Sequence, residues 1–499
     1  MKKIKRIIIV LLGLIVLSAS VPLTAFASAG GESEKPIILR ISNWEEYIDL
    51  GDWDEEEAID LDSGTIIGEI SMIDEFEDWY YETYGRKVKV EYSTFGSNED
   101  FYNMLTLGDV FDLTCPSEYM VMKLMAEDRV VPFSDEFYDT ENELNYYING
   151  VSPYIQSILE ENGLNNEPWS KYMACYMWGI TGFVYNPEIM TREEASTCMV
   201  LVNPKFSRQI SVKDSLRDSY FAAVAAVKRD LLTSEEFLND PNYKKNLQRE
   251  MNDTSPETIE KVLDFLQEVK KNCYSFESDA GKADLISGKA AANYQWSGDA
   301  VYSLDQAEEV DLRLDFAIPE EASNIYFDGW CMLKNGINGD PDKQHAAEAF
   351  INYVSRPDNV IRNMYYVGYT SAIAAPEDGR IFEYAQWNFE AEDDEEETVD
   401  YPLGYFFTGD NEDENFIINA PADQINRQLV SQYPDAKAME RTSIMEYFDE
   451  ETYDEIYQMW IKVRCCNIKD IPVYIWILIG ATAIGFIALG IYNSRKKYR

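Results

Sequence analysis

Histidine is almost missing from this chain: one residue, His345, in 499. Most hydrolase and zinc chemistry leans on imidazole as base or ligand, so that scarcity removes most such readings. His345 itself falls in a helix rich in Ala and Glu and reads as a surface residue. Basic residues are also few, 43 against 90 acids, for a formal net charge of −47. A chain this acidic does not track a phosphate backbone, which sets nucleic-acid binding aside. Cys115, Cys175, Cys198, Cys273, Cys331, Cys465 and Cys466 form no C-x-x-C pair and are too scattered for a disulfide framework. No phosphate-cradling loop is present, since Gly288-Lys289 runs into alanine and lacks the upstream glycine. Neither a G-x-G-x-x-G helix opening nor a G-x-S-x-G elbow occurs. Among 90 acids, a glycosidase-like pair of carboxylates carries no information.

What the chain does have is length and apolar content. A hydrophobic fraction of 46% with 13% aromatics in 499 residues supports two lobes with real cores rather than disorder. Both ends carry membrane signals. Lys2, Lys3, Lys5 and Arg6 precede an apolar run from Ile7 to Leu17, and Ala25-Phe26-Ala27 and Ala27-Ser28-Ala29 are small-x-small cleavage candidates. Residues 1–29 therefore read as a secretory signal. Ile471–Tyr492 is free of charge and long enough to cross ~30 Å of hydrocarbon. Arg495, Lys496, Lys497 and Arg499 follow it, so residues 493–499 are expected in the cytoplasm. The expectation is an exported domain, extracellular or periplasmic, tethered by a single C-terminal span.

Between the ends, strand and helix patterns alternate, which means an α/β protein. Ile37–Ile41 is a β-rich run, Met72–Tyr84 has helical spacing, and Val88, Val90 and Tyr92 alternate as in a strand. Helices are expected at Asn98–Leu107 and Ser117–Glu127, with a short strand at Phe111–Cys115 between them. Ser255-Pro256-Glu257 caps a helix whose Ile259, Val262, Leu263, Leu266 and Val269 share one face. Further strands fall at Asn293–Trp296 and Leu314–Ile318, and a helix at Asp342–Val354. Two acidic, turn-rich segments, Asp49–Ser71 and Glu390–Asp400, read as solvated insertions. Calcium is disfavoured in the first, because Asp60-Leu61-Asp62-Ser63-Gly64 places its glycine one position too early for an EF-hand loop.

Several short motifs recur in one order. They are Ser42-Asn43-Trp44-Glu45-Glu46-Tyr47-Ile48, Tyr92-Ser93-Thr94-Phe95-Gly96-Ser97-Asn98-Glu99, and Phe111-Asp112-Leu113 running to Pro116-Ser117-Glu118-Tyr119. Asp214-Ser215-Leu216-Arg217-Asp218, Trp296-Ser297-Gly298-Asp299-Ala300, Tyr326-Phe327-Asp328 and Val367-Gly368-Tyr369 follow. Over roughly residues 37–465 this series resembles the spermidine/putrescine-binding proteins that feed ABC importers. The residue types suit such a ligand. Methylenes and ammonium groups call for aromatic faces, worth ~0.5–2 kcal/mol per cation–π contact. The ammonium groups also call for carboxylates, since a buried cation without a counter-charge is prohibitive.

The resemblance implies a two-lobed fold of the periplasmic-binding-protein type (type II) with a hinge. Lobe one would be 36–180 and 328–370, and lobe two 181–327 and 371–463. Trp44, Tyr47, Ser117 and Tyr119 would line the cleft from lobe one, Trp296 and Tyr326 from lobe two and the hinge, and Tyr369 from the last crossover. Asp328 would take one amine, and Asp218, with Asp214 before it, another. Asp214 has an alternative role as cap of the helix starting at Ser215, and Asp299 is expected to be a cap as well. The family's pair of neighbouring acids is reduced here to Asp214-Ser215, and a ligand-contacting glutamine falls on Met445. A polyamine ligand, ABC permease subunits as partners, no cofactor and no covalent chemistry are what the resemblance implies. The alternatives are a sugar, peptide or metal-chelate binding protein of the same fold, or an acidic surface glycosidase or adhesin.

Overall fold

The structure, a computed structural model, describes residues 35–278, 280–391 and 397–465. The signal segment 1–29, the apolar run 471–492 and Cys466 lie outside the described residues. Among the described residues no helix is long and apolar enough to cross a membrane.

The elements that place the site are β1 (Ile37–Trp44), α1 (Met72–Tyr84), β2 (Val88–Phe95), α2 (Asn98–Leu107), β3 (Leu113–Thr114), α3 (Glu118–Ala126) and β4 (Ala174–Tyr185). They continue with β5 (Ile210–Lys213), α4 (Leu216–Val227), α5 (Pro256–Asn272), β6 (Ser275–Glu277), β7 (Ala292–Trp296) and α6 (Ser297–Glu308). The last are β8 (Ser323–Leu333), α7 (Pro341–Val354), α8 (Pro357–Val367) and α9 (Glu450–Arg464). One sheet has the strand order β6-β5-β7-β4-β8-β3-β1-β2. β4 and β8 are antiparallel partners, 12 and 11 residues long, and every residue in both is buried. Together they run between the two halves. The parallel β1–β2 and β1–β3 pairs flank β8, and β7, then the parallel β5–β6 pair, flank β4. Two apolar cores result, one holding Leu39, Phe76, Leu113 and Phe350, the other Val212, Ala223, Leu266 and Tyr294.

Local chemistry explains where the helices start and stop. The Ser71 hydroxyl accepts from the Ile73 amide at 3.3 Å and Gly85, at φ 69°, ends α1. In α5, Ser255 caps and Pro256 occupies the first turn, and Val262, Leu266 and Val269 from the expected face are buried. His345 is exposed on α7, its Nδ1 2.9 Å from the Tyr80 hydroxyl.

Four readings from sequence need revision. β1 runs on past Ile41 through Trp44. The segment 49–71 is not simply solvated, since Asp49 is fully buried and Ile59–Leu61 pairs with Gly64–Ile66. The end of the acidic stretch 390–400 enters a hairpin, Thr398–Pro402 against Ile417–Pro421. Finally, Arg380–Phe389 packs on α8 and Gly404–Phe407 on Pro153–Glu161. The chain therefore lingers on the first half after residue 371 before returning to the second.

Asp49 matters for the site. Arg362 Nη2 lies 2.5 Å and Nε 2.8 Å from Asp49 Oδ2, and Glu75 pairs with the same guanidinium. The Gly51 amide and the Trp53 indole complete the Asp49 carboxylate at 2.9 and 3.0 Å. This buried pair ties the turn carrying Tyr47 to the helix that delivers Tyr369. Arg362→Met leaves Asp49 buried without a counter-charge, and a loss of about 3–5 kcal/mol in urea unfolding is expected. Asp49→Asn combined with Arg362→Met should recover part of that loss, and equal losses in single and double variants would refute the coupling.

Candidate functional site: a buried carboxylate in an aromatic cleft

The site forms where β8 crosses the ends of β1 and β3. The β4–β8 register shifts between Asp328 and Gly329, and the Asp328 backbone, still opposite Met177, also bridges to Ser117. The Gly329 amide bonds instead to Pro116 O at 3.1 Å, and the Phe327 amide to Glu118 Oε2 at 3.0 Å. Asp328 is thereby turned into the interior, 6% exposed. Ser117 Oγ donates to its Oδ1 at 2.7 Å and the Tyr47 hydroxyl to its Oδ2 at 2.8 Å. Ser117 precedes α3 but makes no side-chain cap, which leaves its hydroxyl for Asp328. Asn98, at the start of α2, fixes the group by donating to Ser117 Oγ at 3.0 Å and to the Tyr119 hydroxyl at 2.8 Å.

No basic side chain among the described residues pairs with Asp328. Burial pushes its carboxyl up to about 6, although the Ser117 and Tyr47 hydrogen bonds pull the other way. Glu118 next to it is raised further, to about 8, first by burial and also by the Asp328 charge, which favours its neutral form.

Three tyrosines wall the carboxylate. The Tyr47 ring meets Tyr369 edge-on at 5.2 Å, and Tyr369 meets Tyr326 at 6.3 Å. Two glycines make room for them. A Cβ on Gly179, opposite Tyr326 in the ladder, would collide with the Tyr326 hydroxyl, and one on Gly298 would collide with the Tyr369 ring. The glycine of the Trp296-Ser297-Gly298-Asp299 motif is thus a packing requirement of Tyr369.

The second half contributes Trp296 and Asp218. The indole donates to Asp218 Oδ1 at 3.2 Å, while Ser215, the cap of α4, accepts from the Asp218 amide. Burial raises the Asp218 carboxyl despite those bonds and the nearby Lys213 and Arg217 charges. Arg217 lies across the gap, its guanidinium 4.4 Å from the Tyr119 ring and 3.9 Å from Phe448. Glu99 is exposed beside it. The surrounding protein raises its carboxyl, an effect opposed by its own backbone amide and by Arg217 and reinforced by Asp218.

Eight of the ten expected residues thus fall into one connected group. Trp44 packs on Phe95 at 4.9 Å, its indole nitrogen buried without a partner. Asp214 is neither cap nor cleft acid: Ser215 caps α4, and Asp214 Oδ2 is bound by Arg464 at 2.6 Å. Asp299 is likewise not a cap. Burial would raise its carboxyl, but Lys213 at 3.0 Å and Lys282 at 3.6 Å hold it below the usual range. Met445 lies in the second core beside Arg217 and Phe448. Sequence reasoning missed Asn98, Glu118, Lys213 and Phe448 as members of the site, although Asn98 and Glu118 stand inside quoted motifs. Among the described residues no cluster of three or more His, Cys, Asp or Glu could hold a metal ion.

Two halves joined by through-going strands, with an acid and aromatics gathered at the crossing, define a two-lobed solute-binding protein. The chain belongs to the bacterial extracellular solute-binding protein family, whose model matches residues 71–382. It is similar to spermidine/putrescine-binding periplasmic protein 1 of Haemophilus influenzae, 23% identical over 58% of this chain and 69% of that protein. It is also similar to a putrescine/agmatine-binding protein of Pseudomonas aeruginosa, 24% identical over 41% of this chain and 52% of that one. The fold matches a spermidine/putrescine ABC transporter substrate-binding protein of Streptococcus pneumoniae with TM-score 0.53 and 22% identity, covering 86% of this chain and all of that one. A lipoprotein of Treponema pallidum matches with TM-score 0.55 and 18% identity, covering 86% of this chain and 99% of its own.

The Asp328 environment predicts a pH signature for the ligand-free protein. A carboxyl at about 6, against an ordinary 3.8, favours its neutral form when folded. Its stabilising effect is complete below about pH 4 and is lost as pH rises through about 6. Asp328→Asn should therefore be more stable than the parent at pH 7.5, by about 1–3 kcal/mol, and show no such gain at pH 4. Denaturant unfolding at both pH values checks this, and a variant less stable at pH 7.5 would refute it.

Proposed function

We propose that this protein captures a linear amine of the putrescine/spermidine class in the cleft and hands it to an ABC permease. The observation that carries the reading is Asp328, a buried carboxylate with two hydroxyl donors, three tyrosine walls and no basic partner among the described residues. An ammonium group supplies the missing charge there, and its methylenes lie against the tyrosines. A neutral sugar leaves the carboxylate uncompensated. The names of the two curated relatives support the same ligand class.

The working motion is closure about the β4–β8 crossing. Tyr47, Ser117 and Tyr119 come from the first half, Trp296 and Asp218 from the second, and Tyr326 and Asp328 from the connecting strand. With 380–389 and 404–407 packed on the first half, we take lobe one as 36–180 and 328–407 and lobe two as 181–327 and 422–463. The binding domain works outside the membrane, tethered through 471–492, and no covalent step is involved.

Titration calorimetry of the full chain with putrescine and spermidine at pH 7.5 should give a dissociation constant near micromolar, roughly −8 kcal/mol, for at least one of them. Neutral sugars and acidic amino acids should give no heat. Protons compete with the amine for Asp328, so affinity should fall about tenfold per pH unit below about 6. No heat with any polyamine at millimolar concentration, or an affinity independent of pH between 5 and 7, would refute the proposal.

A further inference from the structure

Lys213 ends β5 with its side chain almost wholly enclosed, 3% exposed. Its ammonium stands 4.4 Å from the centroid of the Trp296 ring. It pairs with Asp299 Oδ2 at 3.0 Å and donates to Ser278 O at 3.1 Å. Asp299 also meets the cleft, because its Oδ1 accepts from the Tyr369 hydroxyl at 3.4 Å. Tyr369 touches Tyr47, and Tyr47 holds Asp328. One series of contacts therefore runs from the Lys213 ammonium to the Asp328 carboxylate. At one end an acid awaits a cation. At the other, an aromatic face and an acid already have one, and it belongs to the protein.

The charges repeat this asymmetry. Asp299 is matched by both Lys213 and Lys282. Asp218, another buried acid at that end, lies within the influence of Lys213 and Arg217. Arg217 further occupies the Tyr119 ring at 4.4 Å. Two of the aromatic faces suited to ligand ammonium groups thus carry protein cations. A ligand ammonium brought to within ~4 Å of Lys213 Nζ is repelled at short range in a site largely shielded from water.

We propose that Lys213 determines specificity: it is a built-in ammonium that fills the Trp296 end of the cleft and restricts the ligand to a short diamine, excluding triamines and tetraamines. The inference rests on the amine-binding reading above and adds to it a limit on the number of ligand cations. It also assigns a purpose to a lysine that the binding of Asp328 to an amine does not require.

The test is calorimetric titration of the full chain and of Lys213→Met with putrescine, spermidine and spermine at about 0.15 M salt. Met keeps the aliphatic stem, and Lys282 stays beside Asp299 as counter-charge. The parent should rank putrescine first, about tenfold or more ahead of spermine. Lys213→Met should tighten spermidine about tenfold or more, and putrescine by less than about threefold, as expected for removing one close like charge. Equal changes for all three amines would overturn the inference, since Lys213 would then only support Trp296. A parent that ranks spermine first would overturn it without any variant, so a variant that fails to fold leaves the proposal open to refutation. Amine binding with an unchanged ranking refutes the role of Lys213 alone, whereas a parent that binds no amine refutes the amine reading and this inference together.

Discussion

Burying the Asp328 carboxylate without a basic partner is the constraint to which the rest of the site answers. An ionised acid in such a place is costly, and the protein offsets only part of that cost, with two hydroxyl donors at 2.7 and 2.8 Å. The remainder is the difference an ammonium ligand can recover. Each neighbouring feature keeps that difference available. The register shift turns Asp328 inward, Asn98 holds the Ser117 and Tyr119 hydroxyls in place, and the tyrosine walls exclude water. On the proposed function, stability given up at this point is regained on binding, as is common where function needs a strained or desolvated group.

The two halves are asymmetric in charge. The first half brings an uncompensated acid and neutral hydroxyls. The second brings acids already matched to lysine and arginine. Under the proposed function, closure needs a cation at the Asp328 end more than at the Trp296 end. The Asp49–Arg362 pair holds the first half to this arrangement at a distance, because it joins the segment bearing Tyr47 to the helix preceding Tyr369. Helix α9 does the same for the second half: Lys270 donates to the carbonyl oxygens of Val463, Arg464 and Cys465, and Arg464 reaches Asp214.

Much of this architecture is legible in the amino-acid sequence. Helices with capping serines and a single apolar face fall where the spacing puts them, as at Met72–Tyr84 and Asn98–Leu107. The two strands that join the halves are not legible. β4 and β8 are buried on both faces, so they show no alternation, and their Gly, Met and Trp residues resemble no strand template. Eight site residues are readable because they sit in ordered motifs. Asp214 and Asp299 mislead because an acid at a helix start is usually a cap, and their real partners, Arg464 and Lys213, lie 250 and 86 positions away. Lys213 could have been noticed as a lone charge ending the apolar strand Ile210–Lys213.

The central claim is that binding is local to Asp328 and does not arise from the diffuse attraction of an acidic protein for cations. Diffuse attraction is screened over about 8–10 Å near physiological salt. The direct measurement compares putrescine affinity at about 0.15 M salt for Asp328→Asn and for a variant with the acids between Glu390 and Glu397 replaced by their amides. The account predicts that Asp328→Asn loses ~2–5 kcal/mol while the acidic-loop variant changes by less than about tenfold. A greater loss in the loop variant than in Asp328→Asn would contradict it.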